Sequence, residues 1–104
     1  MQKTRQIVFT RENHAELLEV EDRLPAAGEI RIRMHYTAVS PGTERSLLTG
    51  NRESTEAFWS GFPATPGYAG SGVVTHVGEG VGHFAPGDRV MVHGAGHRQF
   101  CTVP

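Results

Sequence analysis

Residues 65–104 read TPGYAGSGVVTHVGEGVGHFAPGDRVMVHGAGHRQFCTVP, and this stretch decides the fold. Runs of β-forming residues alternate along it with glycine and proline breaks. Residues 72–78 (GVVTHVG) are rich in branched side chains, and residues 89–93 (RVMVH) and 99–103 (QFCTV) make two further strand candidates. Between them lie Gly78-Glu79-Gly80-Val81-Gly82 and Pro86-Gly87-Asp88. The three glycines of the first break allow positive φ and close packing where the chain reverses. The second break presets a turn that delivers Val90 and Val92 to a core.

The same grammar extends upstream. Residues 29–36 (EIRIRMHY) alternate cleanly, with Ile30, Ile32, Met34 and Tyr36 on one face and Glu29, Arg31, Arg33 and His35 on the other. That pattern predicts a half-buried strand. Residues 6–10 (QIVFT) predict another, and residues 14–21 (HAELLEVE) its return arm in a hairpin, although Leu17-Leu18 breaks the alternation and leaves a short helical turn open. Residues 43–49 (TERSLLT) read as a short helix, with Thr43 as its cap and Gly50 as its stop. Residues 51–64 read as a long excursion with aromatics Phe58, Trp59 and Phe62 near its centre. No internal repeat, linker or second domain is visible. The expected fold is mainly β: a small, partly open barrel with one or two short helices.

Composition narrows the function. A chain of 104 residues is one domain's worth. Ten basic and eleven acidic residues give a formal charge of −1 with no block of one sign, which speaks against nucleic-acid and acidic-membrane partners. There is no long apolar run and no signal-peptide pattern near Met1. Cys101 is the single cysteine, so neither a disulfide framework nor a four-cysteine zinc lobe can be built. In a strand position it reads as a small hydrophobe rather than a nucleophile. These features point to a cytoplasmic, turn-rich domain.

Several motifs in order carry a resemblance. Pro66-Gly67, Gly70, Gly72, the stretch 77–81, Phe84, Pro86-Gly87-Asp88 and Val90 fall as they do at the end of the GroES-like domain of medium-chain dehydrogenases/reductases. Upstream, AAGEIRIRMHYTAVSPGTERSLLTG resembles that family's preceding strand and active-site turn. The resemblance covers residues 26–104 well and the first 25 loosely. It implies a GroES-like barrel over residues 1–104, as the N-terminal portion of a larger NAD(P)-dependent oxidoreductase of the alcohol dehydrogenase or quinone reductase type. The substrate would be a small carbonyl, alcohol or enone, and a homodimer is a possible state of the full-length protein.

The resemblance also implies where chemistry sits. Zinc members hold their metal with a cysteine after the strand and with a His-Glu pair in the Pro-Gly turn. Here those positions carry Ser40, Tyr68 and Ala69, so the expectation is a zinc-free site. Ser40, Thr43 and Tyr68 are then the candidate catalytic residues, a hydroxyl at Thr43 serving a developing alkoxide. Thr43, Glu44 and Arg45 are candidates for the cofactor, and Phe58, Trp59 and Phe62 for an apolar substrate. Each has a plainer reading beside it. Thr43 is a helix cap, Glu44 complements the helix dipole, Arg45 is solvated, Tyr68 is packing, and the aromatics plug one end of the barrel. His76, His83, His93 and His97 are read as surface or core histidines rather than metal ligands.

No strand–G-x-G-x-x-G/A–helix unit is present: His93-Gly94-Ala95-Gly96-His97 has two glycines and no helix pattern after it. The cofactor-binding domain is therefore the expected missing partner, and this chain alone is expected to be inactive. Two other readings stay open. One is a co-chaperonin-like module sharing the Val-Gly-x-Gly pattern, and the other is a ligand-binding barrel that kept the fold without zinc or cofactor.

Overall fold

Strand formation follows the alternating and branched stretches closely. The computed structural model describes residues 2–50 and 61–104. Strand β1 (Gln2–Arg11) and strand β2 (His14–Asp22) form a hairpin with Gln2 opposite Asp22 and Phe9 opposite Ala15. Asn13 takes φ 56 at the turn, a left-handed conformation that Asn tolerates. Strands β3 (Ile30–Thr37), β4 (Ala69–Val77), β5 (Arg89–His93) and β6 (Phe100–Val103) make an antiparallel sheet in the order β5-β4-β3-β6. Among the described residues one helix, α1 (Pro41–Thr49), stands between β3 and β4. The chain is mainly β, and its two sheets do not close into a continuous barrel.

The hairpin is stitched to the larger sheet by backbone bonds along the segment before β6. Ile7 N–H donates to the His97 carbonyl at 2.9 Å, and Gln99 N–H to the Arg5 carbonyl at 3.2 Å. Further along, Phe9 and Ala64 exchange two bonds of 2.8 Å. Leu17-Leu18 stays in the strand, because the ladder runs unbroken from Gln2 opposite Asp22 to Phe9 opposite Ala15; the helical-turn alternative does not form.

The core of the large sheet is Ile30, Ile32, Val74, Val92 and Cys101, flanked by Met34, Val77, Val81, Val90, Ala95 and Val103. Ile32 and Val74 are 1% exposed, and burying each side chain contributes about 1.5–3 kcal/mol. Val90 and Val92 arrive there as the Pro86-Gly87-Asp88 turn dictates, with Gly87 N–H bonded to the Val74 carbonyl at 2.8 Å. Cys101 packs as a small hydrophobe, and burial pushes its thiol pKa up, more than the nearby Arg98 charge pulls it down.

Two expectations for β3 fail. Tyr36, placed on the core face by alternation, is 78% exposed, while Arg31, placed on the solvent face, is 6% exposed. The β3–β4 register slips between Arg31 and Ile32 and again between Met34 and Tyr36, so strict alternation is lost before Tyr36 is reached. Arg31 is buried because its face is covered. Its guanidinium grips Asp22 at the end of β2 through Nε and Nη2 at 3.1 and 2.6 Å, donates to Thr75 Oγ1 at 2.8 Å, and stacks 4.1 Å from the centre of the Phe100 ring. The glycine turn divides as well. A Cβ on Gly78 would strike the Ala26 carbonyl, and Gly80 takes φ 83, but Gly82 meets open space at an ordinary φ and needs neither allowance.

Two outcomes follow from these polar ties. Asp22→Ala leaves the Arg31 charge buried and uncompensated, and it should cost about 3–5 kcal/mol in urea unfolding, far more than an exposed pair would. Glu29 is held by Arg23 and by the Ala26 N–H, which lower its pKa from 4.5 to about 2. A lowered folded pKa stabilises fully above the unfolded value and is lost as pH falls through the folded one. Glu29→Gln should therefore flatten the fall in the urea midpoint between pH 4.5 and 2.

Candidate functional site

Helix α1 begins one turn earlier than Thr43. Ser40 is its N-cap residue, extended at φ −103 and ψ 99, and Pro41 opens the first turn. Proline presets the helical φ and lacks an N–H that would be orphaned there, while it keeps the residue before it out of the helix. The cap reading of Thr43 is thus corrected. Gly50 ends the helix as expected, at φ 73 in the left-handed region. The Ser40 side chain makes no bond to the backbone; its hydroxyl donates to Thr43 Oγ1 at 3.3 Å.

Tyr68 lies just before β4, and the backbone brings it alongside this turn. Ala38 N–H donates to the Ala69 carbonyl at 2.9 Å, so one bond joins the segment leading to Ser40 with the segment leading from Tyr68. Tyr68 is 44% exposed. Its ring meets His93 edge-on, with centroids 6.3 Å apart and planes at 61°. Among the described residues no hydrogen bond joins Tyr68 to Ser40 or Thr43.

A histidine in the loop before β6 organises this region. His97 is buried, with Nε2 2.6 Å from Glu44 Oε1 and Nδ1 2.5 Å from Thr37 Oγ1. A carboxylate only accepts, so Nε2 carries the proton, and in the neutral ring Nδ1 accepts from the Thr37 hydroxyl. Glu44 is therefore bound to His97 as well as lying in the first helical turn, where a negative charge complements the dipole. Nothing in local spacing reveals the trio, since its members lie 53 and 60 positions from His97.

The loop carrying His97 is pressed against the Pro66-Gly67 turn. Gly96 N–H donates to the Gly67 carbonyl at 3.0 Å, and His97 N–H to the Pro66 carbonyl at 3.1 Å. Gly67 has φ 103, and a Cβ there would lie 2.8 Å from the His97 nitrogen. Only glycine permits this approach.

The other sequence candidates divide. Arg45 is exposed on α1, and Phe62 is half-buried before Pro63. Phe58 and Trp59 lie outside the described residues. His76 is exposed, with Nδ1 3.0 Å from Thr75 Oγ1. Among the described residues no group of three or more His, Cys, Asp or Glu is placed to hold a metal ion, and no helix is long and apolar enough to cross a membrane.

Residues 26–103 match the alcohol dehydrogenase GroES-like domain. A 2-desacetyl-2-hydroxyethyl bacteriochlorophyllide A dehydrogenase of Cereibacter sphaeroides is 37% identical over 71 residues, covering 68% of this chain and 21% of that protein. An alcohol dehydrogenase class-3 of Caenorhabditis elegans is 45% identical over 67 residues, covering 64% of this chain and 16% of its own length. The chain thus spans about a fifth of the length of these curated relatives. In fold, it superposes on a protein of Sinorhizobium meliloti described as a zinc-binding dehydrogenase and bound to NADP, with a TM-score of 0.77 at 18% identity, covering 100% of this chain and 37% of that one.

The His97–Glu44 bond is the tie between α1 and the loop at 94–97, and it is testable as a pair. His97→Ala and Glu44→Ala should each cost about 1–3 kcal/mol. Their double variant should cost less than the sum, by at least ~0.5 kcal/mol, in a urea double-mutant cycle.

Proposed function

Since this chain belongs to the alcohol dehydrogenase GroES-like family of the medium-chain dehydrogenases/reductases, we propose that residues 1–104 are the N-terminal, substrate-binding part of an NAD(P)-dependent oxidoreductase that works without zinc. Its substrate is a small carbonyl, alcohol or enone, and its partner is a cofactor-binding domain of the dinucleotide type. The chain alone does not turn over substrate, because it holds no glycine-rich turn to cradle a pyrophosphate.

The observation that carries the reading is the hydroxyl pair at the start of α1. Ser40 donates its proton to Thr43 Oγ1. That leaves the Thr43 proton free for a substrate oxygen, which a hydroxyl stabilises as it gains charge. Tyr68, anchored beside this turn through Ala69, supplies a second donor, its phenol. A bound nicotinamide supplies or accepts the hydride. Arg45 is exposed on the same helix, and its guanidinium suits an anionic part of that cofactor. Glu44 stands on the same turn as a cofactor candidate and, held by His97, also fixes the orientation of the helix that presents Thr43. Phe62, with Phe58 and Trp59, is assigned to an apolar substrate wall.

Zinc does not fit the donor set. The positions that carry cysteine, histidine and glutamate in zinc members hold a Ser40 hydroxyl, a Tyr68 phenol and an Ala69 methyl. Neutral hydroxyls and a methyl group are not the thiolate, imidazole or carboxylate ligands a catalytic zinc needs.

The test uses this segment joined to its cofactor-binding part, following nicotinamide absorbance with a panel of carbonyl and enone substrates. Thr43→Val should lower kcat by about 10²-fold or more without changing the unfolding midpoint, and a strong chelator should leave the rate unchanged. Loss of activity on chelation would overturn the zinc-free site, and an unaltered Thr43→Val rate would remove Thr43 from the chemistry.

A further inference from the structure

Away from the Ser40–Thr43 pair, the outermost strand β5 (RVMVH) leaves one side of its backbone without a partner. The ladder to β4 shows which groups these are. Gly94 N–H donates to the Tyr68 carbonyl at 2.8 Å, and Val74 N–H to the Asp88 carbonyl at 2.9 Å. Along an antiparallel pair, bonded and non-bonded positions alternate. Val90 opposite Gly72 and Val92 opposite Gly70 therefore bond to β4, while Arg89, Met91 and His93 turn their N–H and carbonyl groups outward. Among the described residues no strand pairs with that side.

The side chains on this strand suit a partner as well. Arg89, Met91 and His93 are all exposed, and Met91, the apolar one at the centre, is 90% exposed. No proline or bulge interrupts the strand. On its opposite face β5 borders an open apolar trough of about 520 Å³, whose lining includes Ile30, Ile32, Val90 and Phe84. An added strand therefore also takes apolar surface out of water.

We propose that β5 pairs antiparallel with β5 of a second copy of this chain, about a two-fold axis through Met91. Each outward residue then exchanges both of its backbone bonds with the residue facing it, Met91 with Met91 and Arg89 with His93. An axis at Arg89 or His93 would leave outward groups unpaired, and at Arg89 it would also set like charges face to face. Centred on Met91, the two Arg89 residues stand at opposite ends of the pairing, about 14 Å apart. That exceeds the roughly 8 Å beyond which salt screens exposed charges. A second copy is thus the occupant that fits: it supplies the matching bonds, an apolar neighbour for Met91 and no opposed charge. A five-residue edge covers much less than the ~800 Å² per partner of a stable dimer, so the pairing is weak and depends on concentration. The inference does not depend on the oxidoreductase reading, since neither Thr43 nor a cofactor enters it.

The experiment follows this chain by sedimentation equilibrium and amide hydrogen exchange from micromolar to millimolar concentration. The mass should rise toward that of a dimer. The Arg89, Met91 and His93 amides should exchange freely in dilute solution and gain protection at millimolar concentration, while Val90 and Val92 are protected in both. Met91→Lys sets two ammonium groups together at the axis, and Met91→Pro removes the central outward N–H while leaving the β4 ladder whole. Each should weaken association by about tenfold or more. Met91 is exposed, so the lysine variant leaves the core undisturbed. Leu17→Lys, at an exposed apolar position on the hairpin, should change nothing. A chain that stays monomeric at millimolar concentration, or a Met91→Lys variant that associates as before, would overturn the proposal. So would equal weakening by Leu17→Lys, or outward amides already protected in the monomer, which would mean that a strand of the same chain occupies that edge.

Discussion

One imidazole, bonded at both of its nitrogens, holds the working end of this domain together. His97 links the end of β3 through Thr37, the first turn of α1 through Glu44, and, by its backbone, the Pro66-Gly67 turn that precedes β4. Those are the three pieces of chain that present Ser40, Thr43 and Tyr68. A buried polar group of this kind is costly unless fully satisfied and specifies one arrangement when it is. Here both nitrogens are satisfied, at 2.5 and 2.6 Å. The candidate chemistry therefore rests on a framework that tolerates little slack. Gly67 completes it, because its missing side chain is what lets the loop carrying His97 come within bonding distance.

A second seam joins the hairpin to the sheet. Arg31 and Asp22 form a bidentate pair with side chains 7% and 3% exposed, reinforced by Thr75 and the face of Phe100. A buried pair of this kind is weak evidence for net stability but strongly constrains which arrangement forms. Together with the backbone bonds from Ile7 to His97 and from Gln99 to Arg5, this pair explains how a chain whose sheets stay open still holds its hairpin in a single position.

What could be read in advance follows from the range of the interactions. β5 falls where its composition puts it, and β3 and β4 differ from expectation only at their ends, because branched alternation and Pro-Gly turns are local signals. Gly50 stops the helix for the same reason. The helix starts earlier than Thr43 because Ser and Thr are both cap-forming residues, and the fixed φ of Pro41 between them decides for Ser40. Tyr36 was misplaced by register slips that no single strand encodes, since a bulge is a property of a pair. Arg31 looked like a surface cation because its partner Asp22 belongs to another sheet. Within the candidate site, Ser40 and Thr43 stand three residues apart, so their hydrogen bond is a local feature, while the bonds of His97 are not, as both its partners come from the opposite half of the chain.

The unclosed architecture has a bearing on how the molecule behaves in a crowded solution. An open sheet has two rims, and a rim of free amides and carbonyls is a template for another strand. Here the rims are short, five residues in β5 and four in β6. The β6 rim is further occupied by its own neighbours: Thr4 Oγ1 accepts the Phe100 N–H, and the Thr102 hydroxyl donates to the Arg23 carbonyl. Side chains thus blunt a margin that backbone pairing leaves open. The β5 rim relies on brevity and on Arg89 and His93 at its ends, with Met91 90% exposed between them. Resistance to self-association is consequently uneven around this molecule, strong along one margin and thin along the other.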